Sequence, residues 1–266
     1  MPRLNGNSQS PKPDYGIDAP NEIRQFIVLG SFSVLVGGFI FVFGGRMKLP
    51  LINYLALPLI FVGLSFLGTA GLMIWGSRVR KFTLRDQVIE SIPWRGDETV
   101  LDVGCGNGLV LIAAAKKLEN GQAIGLDVLS RGKKAFHNTE TIQRNARIEG
   151  VSERIEIRSG DARALALPDE SVDVVFSCWV LHNIEDQSGR DQAIREVVRV
   201  LKPGGRAILM DFSFTQQYAA AFKKSGIEQV EISRPDYLFV VPTYRVQAIK
   251  PAAKEETSAI IEENRD

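Results

Sequence analysis

Three glycines at alternate positions, Gly104, Gly106 and Gly108, follow Asp102 in the run Val100-Leu-Asp-Val-Gly-Cys-Gly-Asn-Gly-Leu109. A side chain there would hold off anything lying across the turn, and glycine takes positive φ without strain. A helical run opens at about Leu109, and the first turn of a helix presents free N–H groups and a partial positive charge. This is a cradle for a nucleotide-like cofactor. A dinucleotide fingerprint, G-x-G-x-x-G, would place its third glycine at position 109, where leucine stands, and that counts against hydride transfer from a nicotinamide.

Two further positions carry chemistry. Asp127 closes Ile124-Gly-Leu-Asp-Val128 about twenty residues beyond the glycine turn, where a carboxylate can accept both hydroxyls of a ribose and Val128 can pack on the base. His182, in Trp179-Val-Leu-His-Asn-Ile184, is the one histidine placed to act as a general base, a role needed only if the acceptor must lose a proton; its alternative is to cap a helix or support the loop. Cys178 reads as a small packing residue at a strand end rather than a nucleophile. With only Cys105, Cys178, His137 and His182, the chain has neither a disulfide framework nor a metal cluster, and its formal net charge of +1 does not favour nucleic acid.

Several stretches occur in a telling order. After the glycine turn and Asp127 come Ser159-Gly-Asp-Ala-Arg163, then Leu167-Pro-Asp-Glu-Ser-Val-Asp-Val-Val-Phe-Ser177, then Arg199-Val-Leu-Lys-Pro-Gly-Gly-Arg-Ala-Ile-Leu-Met-Asp211. This series resembles the class I S-adenosylmethionine-dependent methyltransferases, covering residues 95–212 well and 213–250 loosely. Through Trp179–Ile184 it looks closest to the group with quinone, sterol and other small-molecule acceptors. The resemblance implies S-adenosylmethionine as cofactor, held by Asp102, Gly104, Gly106, Gly108, Asp127, Val128 and Cys178, with Asp161 capping the adenine amino group beside Ala162. It puts Trp179 and Asn183 on the acceptor side with His182. One departure stands out: the next helix follows Asp211 almost at once, so the insertion that usually covers the substrate is short and something else must close the site.

The elements that position these residues alternate. Strands are expected at 99–103, 122–127, 154–158, 172–177, 205–211, 227–233 and 243–249, with helices near 108–119, 131–148, 188–201 and 215–225. The resulting fold class is α/β, a doubly wound, mostly parallel seven-stranded Rossmann-like sheet spanning 96–250. Lys202-Pro-Gly-Gly205 should stop the helix before it. Residues 251–266 read as a disordered acidic tail.

The first third is different in kind. Residues 1–25 read as an extended tail in which Tyr15 and Ile17 are apolar islands, either floating or folded back as a lid over the cofactor cleft. Phe26–Gly45 holds no charged residue, and a second uncharged run extends from Leu49 to Ser77. Each is long enough for a bilayer core of roughly 30 Å. Residues 26–77 are expected to be two transmembrane helices packed closely through Gly30, Ser33, Gly37, Gly63, Ser65, Gly68, Thr69 and Gly71. Lys12, Arg24, Arg78, Arg80, Lys81 and Arg85 flank the terminal side against Arg46 and Lys48 in the loop, which places both termini and the α/β domain in the cytoplasm. Residues 78–95 are expected to form a basic amphipathic connecting helix.

The sequence therefore points to a membrane-anchored methyltransferase with a small hydrophobic or lipidic acceptor met at the bilayer surface, without metal or nucleic acid. The alternatives are an enzyme for a soluble thiol or phenol with the hairpin only as anchor, and a scaffold that binds the cofactor without catalysis.

Overall fold

The computed structural model describes residues 11–47, 50–127, 139–237 and 241–252. They fall into two compact units, one built on Ile92–Arg234 and the strand residues from Tyr244 on, the other on Asp14–Ser91 and Pro235–Thr243.

The first unit is a twisted sheet with helices. Its strands are β1 (Thr99–Val103), β2 (Gln122–Asp127), β3 (Ile155–Ser159), β4 (Val172–Cys178), β5 (Leu201–Asp211), β6 (Val230–Ile232) and, from Tyr244 on, β8 (Pro242–Ile249); the two-residue β7 (Asp236–Tyr237) and the first two residues of β8 group with the second unit. The order is β3-β2-β1-β4-β5-β8-β6 with β7 pairing β8 off this path, so the sheet has eight strands where seven were expected. The first five run parallel, with Leu101 opposite both Ile124 and Val175, and β8 is antiparallel to β5 and β6. Strands covered on both faces need apolar side chains at successive positions. Val100, Leu101, Val175 and Phe176 are accordingly fully buried, each such burial stabilising by about 1.5–3 kcal/mol.

Helix boundaries follow local chemistry. α4 (Leu109–Ala115) is four residues shorter at its end than the expected 119, while the described part of the next helix is α5 (Thr139–Ile148). α6 (Gln187–Val200) starts after Asp186, whose carboxylate accepts the Gly189 N–H at 2.6 Å, and it ends one residue short of the expected 201, ahead of Lys202-Pro-Gly-Gly205. Those four residues form a bulge within β5: Leu201 pairs Val172 and Arg206 pairs Val174. Asp173 ties the bulge to the strand starts, accepting from Lys202 Nζ (2.7 Å), the Thr99 N–H (2.9 Å) and Arg95 Nη2 (3.1 Å). Burial opposes its ionisation, but these three donors outweigh burial and hold it below the usual carboxylate range. α7 (Thr215–Lys224) follows β5.

In the second unit α1 (Pro20–Arg46) and α2 (Pro50–Trp75) form an antiparallel pair. The expected tail to residue 25 ends earlier, because Pro20 with its preset φ opens the helix. At 27 residues α1 is about 40 Å long. A methyl group on Gly30 would lie 2.8 Å from the Gly63 carbonyl oxygen, and one on Gly37 would lie 3.0 Å from that of Ala56, so the backbones touch where glycine stands. Gly68 and Gly71 have nothing within 4 Å of that position and do not serve the contact. The hydroxyls of Ser65 and Thr69 instead bond the carbonyls of Phe61 and Ser65 on their own helix. Pro58 lies inside α2 without ending it.

The expected separate connecting helix is instead a continuation of α2. A π-helical turn, Gly76–Arg80, leads directly into α3 (Lys81–Glu90). Lys81 is buried, and its Nζ donates to the carbonyls of Gly16 (2.6 Å) and Tyr15 (3.1 Å). The Asp18 N–H donates to Ser77 Oγ at 3.0 Å, and Tyr15 packs edge-on against Phe82 with ring centroids 5.8 Å apart. Residues 235–243, expected within the α/β domain, group with this unit, where Asp236 pairs with Arg80. The expected acidic tail lies, from residue 253, outside the described residues.

Candidate functional site

The carboxyl ends of β1, β2, β4 and β5 gather most of the residues singled out by sequence. Asp102 is 2% exposed at the end of β1. Gly104, Gly106 and Gly108 all have positive φ (75°, 52° and 82°). A side chain at Gly104 would overlap Val180, its Cβ falling 2.3 Å from a Val180 methyl, so the loop after β4 lies directly on the glycine turn. The N–H groups of Gly104 and Cys105 donate to the Leu126 carbonyl at 2.7 and 3.2 Å. Asn145 from α5 donates to the Asn107 carbonyl at 3.2 Å and holds the turn from the other side.

The electrostatics of this edge are acidic. Burial pushes Asp102 from 3.8 up to about 7, the charge of Asp127 adds to the rise, and a hydrogen bond from the Leu111 backbone opposes it. The first turn of α4 is thus met by a carboxylate of the chain itself. Burial also raises the Cys105 thiol, with Asp102 and Asp127 contributing. Cys178 is raised by burial and then by Asp102 and Asp211. Both thiols therefore stay protonated at neutral pH, which fits packing and not nucleophilic attack. The Cys105 sulfur fills the space over Gly125, 2.9 Å from where a Cβ would be.

The other expected residues divide. Gly160 donates to the Asp127 carbonyl at 3.1 Å, bringing the loop of Asp161 and buried Ala162 to the end of β2. Asp161 is engaged by Arg163, whose Nη2 lies 2.6 Å from Oδ2, and this hydrogen bond chiefly holds the carboxyl below its usual value. Trp179 follows β4 in a left-handed conformation (φ 57°), its N–H bonded to the Met210 carbonyl at 2.7 Å and its indole nitrogen buried without a hydrogen-bond partner among the described residues. Asn183 Nδ2 bonds the Val180 carbonyl at 3.0 Å within the same turn. Tyr15 belongs to the helical unit, and Val128 and His137 lie outside the described residues.

The arrangement at His182 was only half visible in sequence. Its Nδ1 lies 2.8 Å from Asp211 Oδ1, and Asp211 is 2% exposed at the end of β5. A carboxylate only accepts, so Nδ1 carries the proton and Nε2 is left as the acceptor. Asp211 Oδ2 also accepts the His182 N–H and the Tyr218 hydroxyl, both at 3.2 Å. Burial, followed by the charge of Asp211, pushes Tyr218 far above its usual value, so it remains a donor. The missed signal was an acid closing the fifth strand, at the same sheet edge as Asp102 and Asp127.

Fold and acid-lined turn define a Rossmann-like cofactor-binding domain. Residues 101–209 match the family model described as a methyltransferase domain. A demethylmenaquinone methyltransferase of Lactiplantibacillus plantarum is 34% identical over 134 residues, covering 50% of this chain and 53% of that protein. A 27-O-demethylrifamycin SV methyltransferase of Amycolatopsis mediterranei is 33% identical over 129 residues, covering 48% and 44%. The chain thus spans about half the length of the curated relatives it matches. An S-adenosylmethionine-dependent methyltransferase from Aquifex aeolicus shares the fold, with a TM-score of 0.51 at 18% identity over 68% of this chain and 97% of that one. Residues 101–209 are thus similar to a methyltransferase domain, and the sheet unit shares the fold of an S-adenosylmethionine-dependent methyltransferase.

Proposed function

We propose that this protein is a membrane-anchored S-adenosylmethionine-dependent methyltransferase acting on a small hydrophobic or lipidic acceptor at the cytoplasmic membrane surface. The observation that carries the reading is the joining, in one chain, of an acid-lined glycine turn with a pair of long helices whose large apolar side chains face outward. The names of the two relatives, one a demethylmenaquinone and one a 27-O-demethylrifamycin SV methyltransferase, support a small-molecule acceptor.

The donor set suits the cofactor. Asp102 and Asp127 are close enough for one charge to raise the other's protonation, and a ligand bearing positive charge and no phosphate relieves that repulsion. When bound, S-adenosylmethionine supplies a methyl group on a positively charged sulfur. The chain's own contribution is alignment and water exclusion. The glycine turn lets backbone approach the ligand, Asp127 accepts the ribose hydroxyls, and Asp161 and Ala162 sit at the adenine end. Cys178, kept neutral, packs at the strand edge.

Anchoring rests on α1 and on the continuous helix Asn53–Glu90, each apolar and long enough to cross a bilayer. Of the basic residues on the terminal side, Arg80, Lys81 and Arg85 have acidic or carbonyl partners in their own unit, while Lys12, Arg24 and Arg78 are exposed and available to a lipid surface. Titration calorimetry of S-adenosylmethionine, its demethylated product and nicotinamide dinucleotides into the full-length protein in detergent tests the site. Micromolar binding of the first pair alone is expected. Binding of neither pair would favour the scaffold, and nicotinamide binding would remove the assignment.

A further inference from the structure

His182 and Asp211 do not stand alone. Phe212, 41% exposed, lies against the imidazole with ring centroids 4.4 Å apart, and its N–H donates to Asp211 Oδ1 at 2.9 Å. Phe214, 45% exposed, adopts a left-handed backbone (φ 59°) that a non-glycine residue holds only at a cost of about 1 kcal/mol. Buried Arg190 fixes it: the guanidinium sits 3.7 Å from the Phe214 ring centroid while Nη1 donates to the carbonyls of Ile184 (2.7 Å) and Glu185 (2.9 Å). Those carbonyls end the turn that carries His182. One buried arginine therefore binds the second phenyl ring to the loop of the base, and both rings are held out to solvent when burying them would be favourable.

We infer that the methyl acceptor is a planar, uncharged ring bearing a hydroxyl, seated against Phe212 and Phe214 with its hydroxyl at His182 Nε2. The inference rests on the reading above that the domain transfers a methyl group. A carboxylate-oriented imidazole is useful where the acceptor must shed a proton before it attacks. A phenol, with a pKa near 10, needs that help most; a thiol near 8.5 needs it less, and a neutral amine attacks through its own lone pair. In the step, the hydroxyl proton passes to Nε2, and the freed oxygen bonds to the methyl carbon as the carbon–sulfur bond breaks and leaves its electron pair on a now neutral sulfur. Asp211 stabilises the imidazolium through Nδ1–H. The charged and titratable groups of the described residues linked to this pair include Tyr218 on α7, Arg190 on α6 and Cys178 on β4, with Glu185 on the loop of His182 itself.

The test uses full-length protein in detergent with methyl-labelled S-adenosylmethionine and three matched probes, 2-naphthol, 2-naphthalenethiol and 2-naphthylamine. Label should appear on the naphthol oxygen. His182→Ala should lower kcat for naphthol by about 10²–10⁴ while binding the demethylated cofactor as the parent does, and its residual rate should rise about tenfold per pH unit as naphtholate accumulates. Phe214→Ala should raise KM about tenfold and leave kcat near the parent value. Faster transfer to thiol or amine, label on ring carbon, no transfer to any probe by cofactor-loaded protein, or a His182→Ala variant with the parent rate and pH profile would each overturn the inference. Failure of the parent protein to bind the cofactor would instead remove the methyltransferase reading beneath it.

Discussion

Phenylalanine behaves oppositely in the two units. Phe176 and Phe222 of the sheet unit are fully buried, whereas Phe39 and Phe61 of the helical unit are 69% and 72% exposed. The same contrast holds for the small residues: glycine in the sheet unit gives a tight turn with positive φ, and glycine in the helical unit lets two backbones touch. One unit gains stability by withdrawing apolar surface from water. The other leaves that surface outward and uses close backbone contact to stay together, which is how helices associate in a medium as apolar as their own side chains.

Substitutions can break this contrast at either end. The largest effect is expected at the glycine turn: Gly106→Arg should weaken S-adenosylmethionine binding more than 100-fold by calorimetry, while light scattering and sedimentation of the helical unit's detergent complex stay unchanged. Tight binding in that variant would remove the turn from the site. Asp102→Asn should weaken binding about tenfold or more by deleting a counter-charge, yet raise the melting temperature of the ligand-free protein at pH 8 by a few degrees. The folded-state value of Asp102 is raised from 3.8 to about 7, so its contribution to stability is fully present below about pH 4 and is lost as pH climbs toward 7. Parent affinity for the cation should accordingly fall as pH drops below 7 and the carboxyl is neutralised; a flat profile from pH 5 to 8 would mean that Asp102 is not the counter-charge.

Smaller effects probe the helices. Gly63→Leu places carbon 2.7 Å from the Gly30 carbonyl oxygen and from Val34, so it should separate α1 from α2 and increase proteolysis between them, with cofactor affinity within twofold of the parent. Smallest of all, Gly68→Ala should stabilise by about 0.5–1 kcal/mol through helix propensity alone, since nothing stands within 4 Å of the added carbon. A loss of stability there would show that α2 uses more of its glycines than the α1 contact does.

Much of this was legible because it is written locally. Val100–Leu109 contains strand, turn and helix start within ten residues, and Lys202-Pro-Gly-Gly205 carries its own stop signal. What escaped was written across distance. Nothing near His182 names Asp211, 29 residues on, and nothing near Lys81 names the carbonyls of Tyr15 and Gly16. The small residues of the second helix misled for a related reason: periodic glycine marks a face that can pack, but only the partner helix decides how much of that face is used. The extra strand β7 and its Asp236–Arg80 pair were likewise invisible, since a two-residue strand has no period to read.

The binding of residues 14–18 to Ser77, Lys81 and Phe82 has a consequence for the order in which the chain is made. Every partner in that clasp has been synthesised before Ile92, the first residue of the sheet unit, so the two helices can be fastened at their shared end while the sheet unit is still being translated. Asp236 reaches Arg80 only when nine-tenths of the chain exists. The hairpin closes early, and its Asp236–Arg80 ion pair waits for the sheet unit to be made.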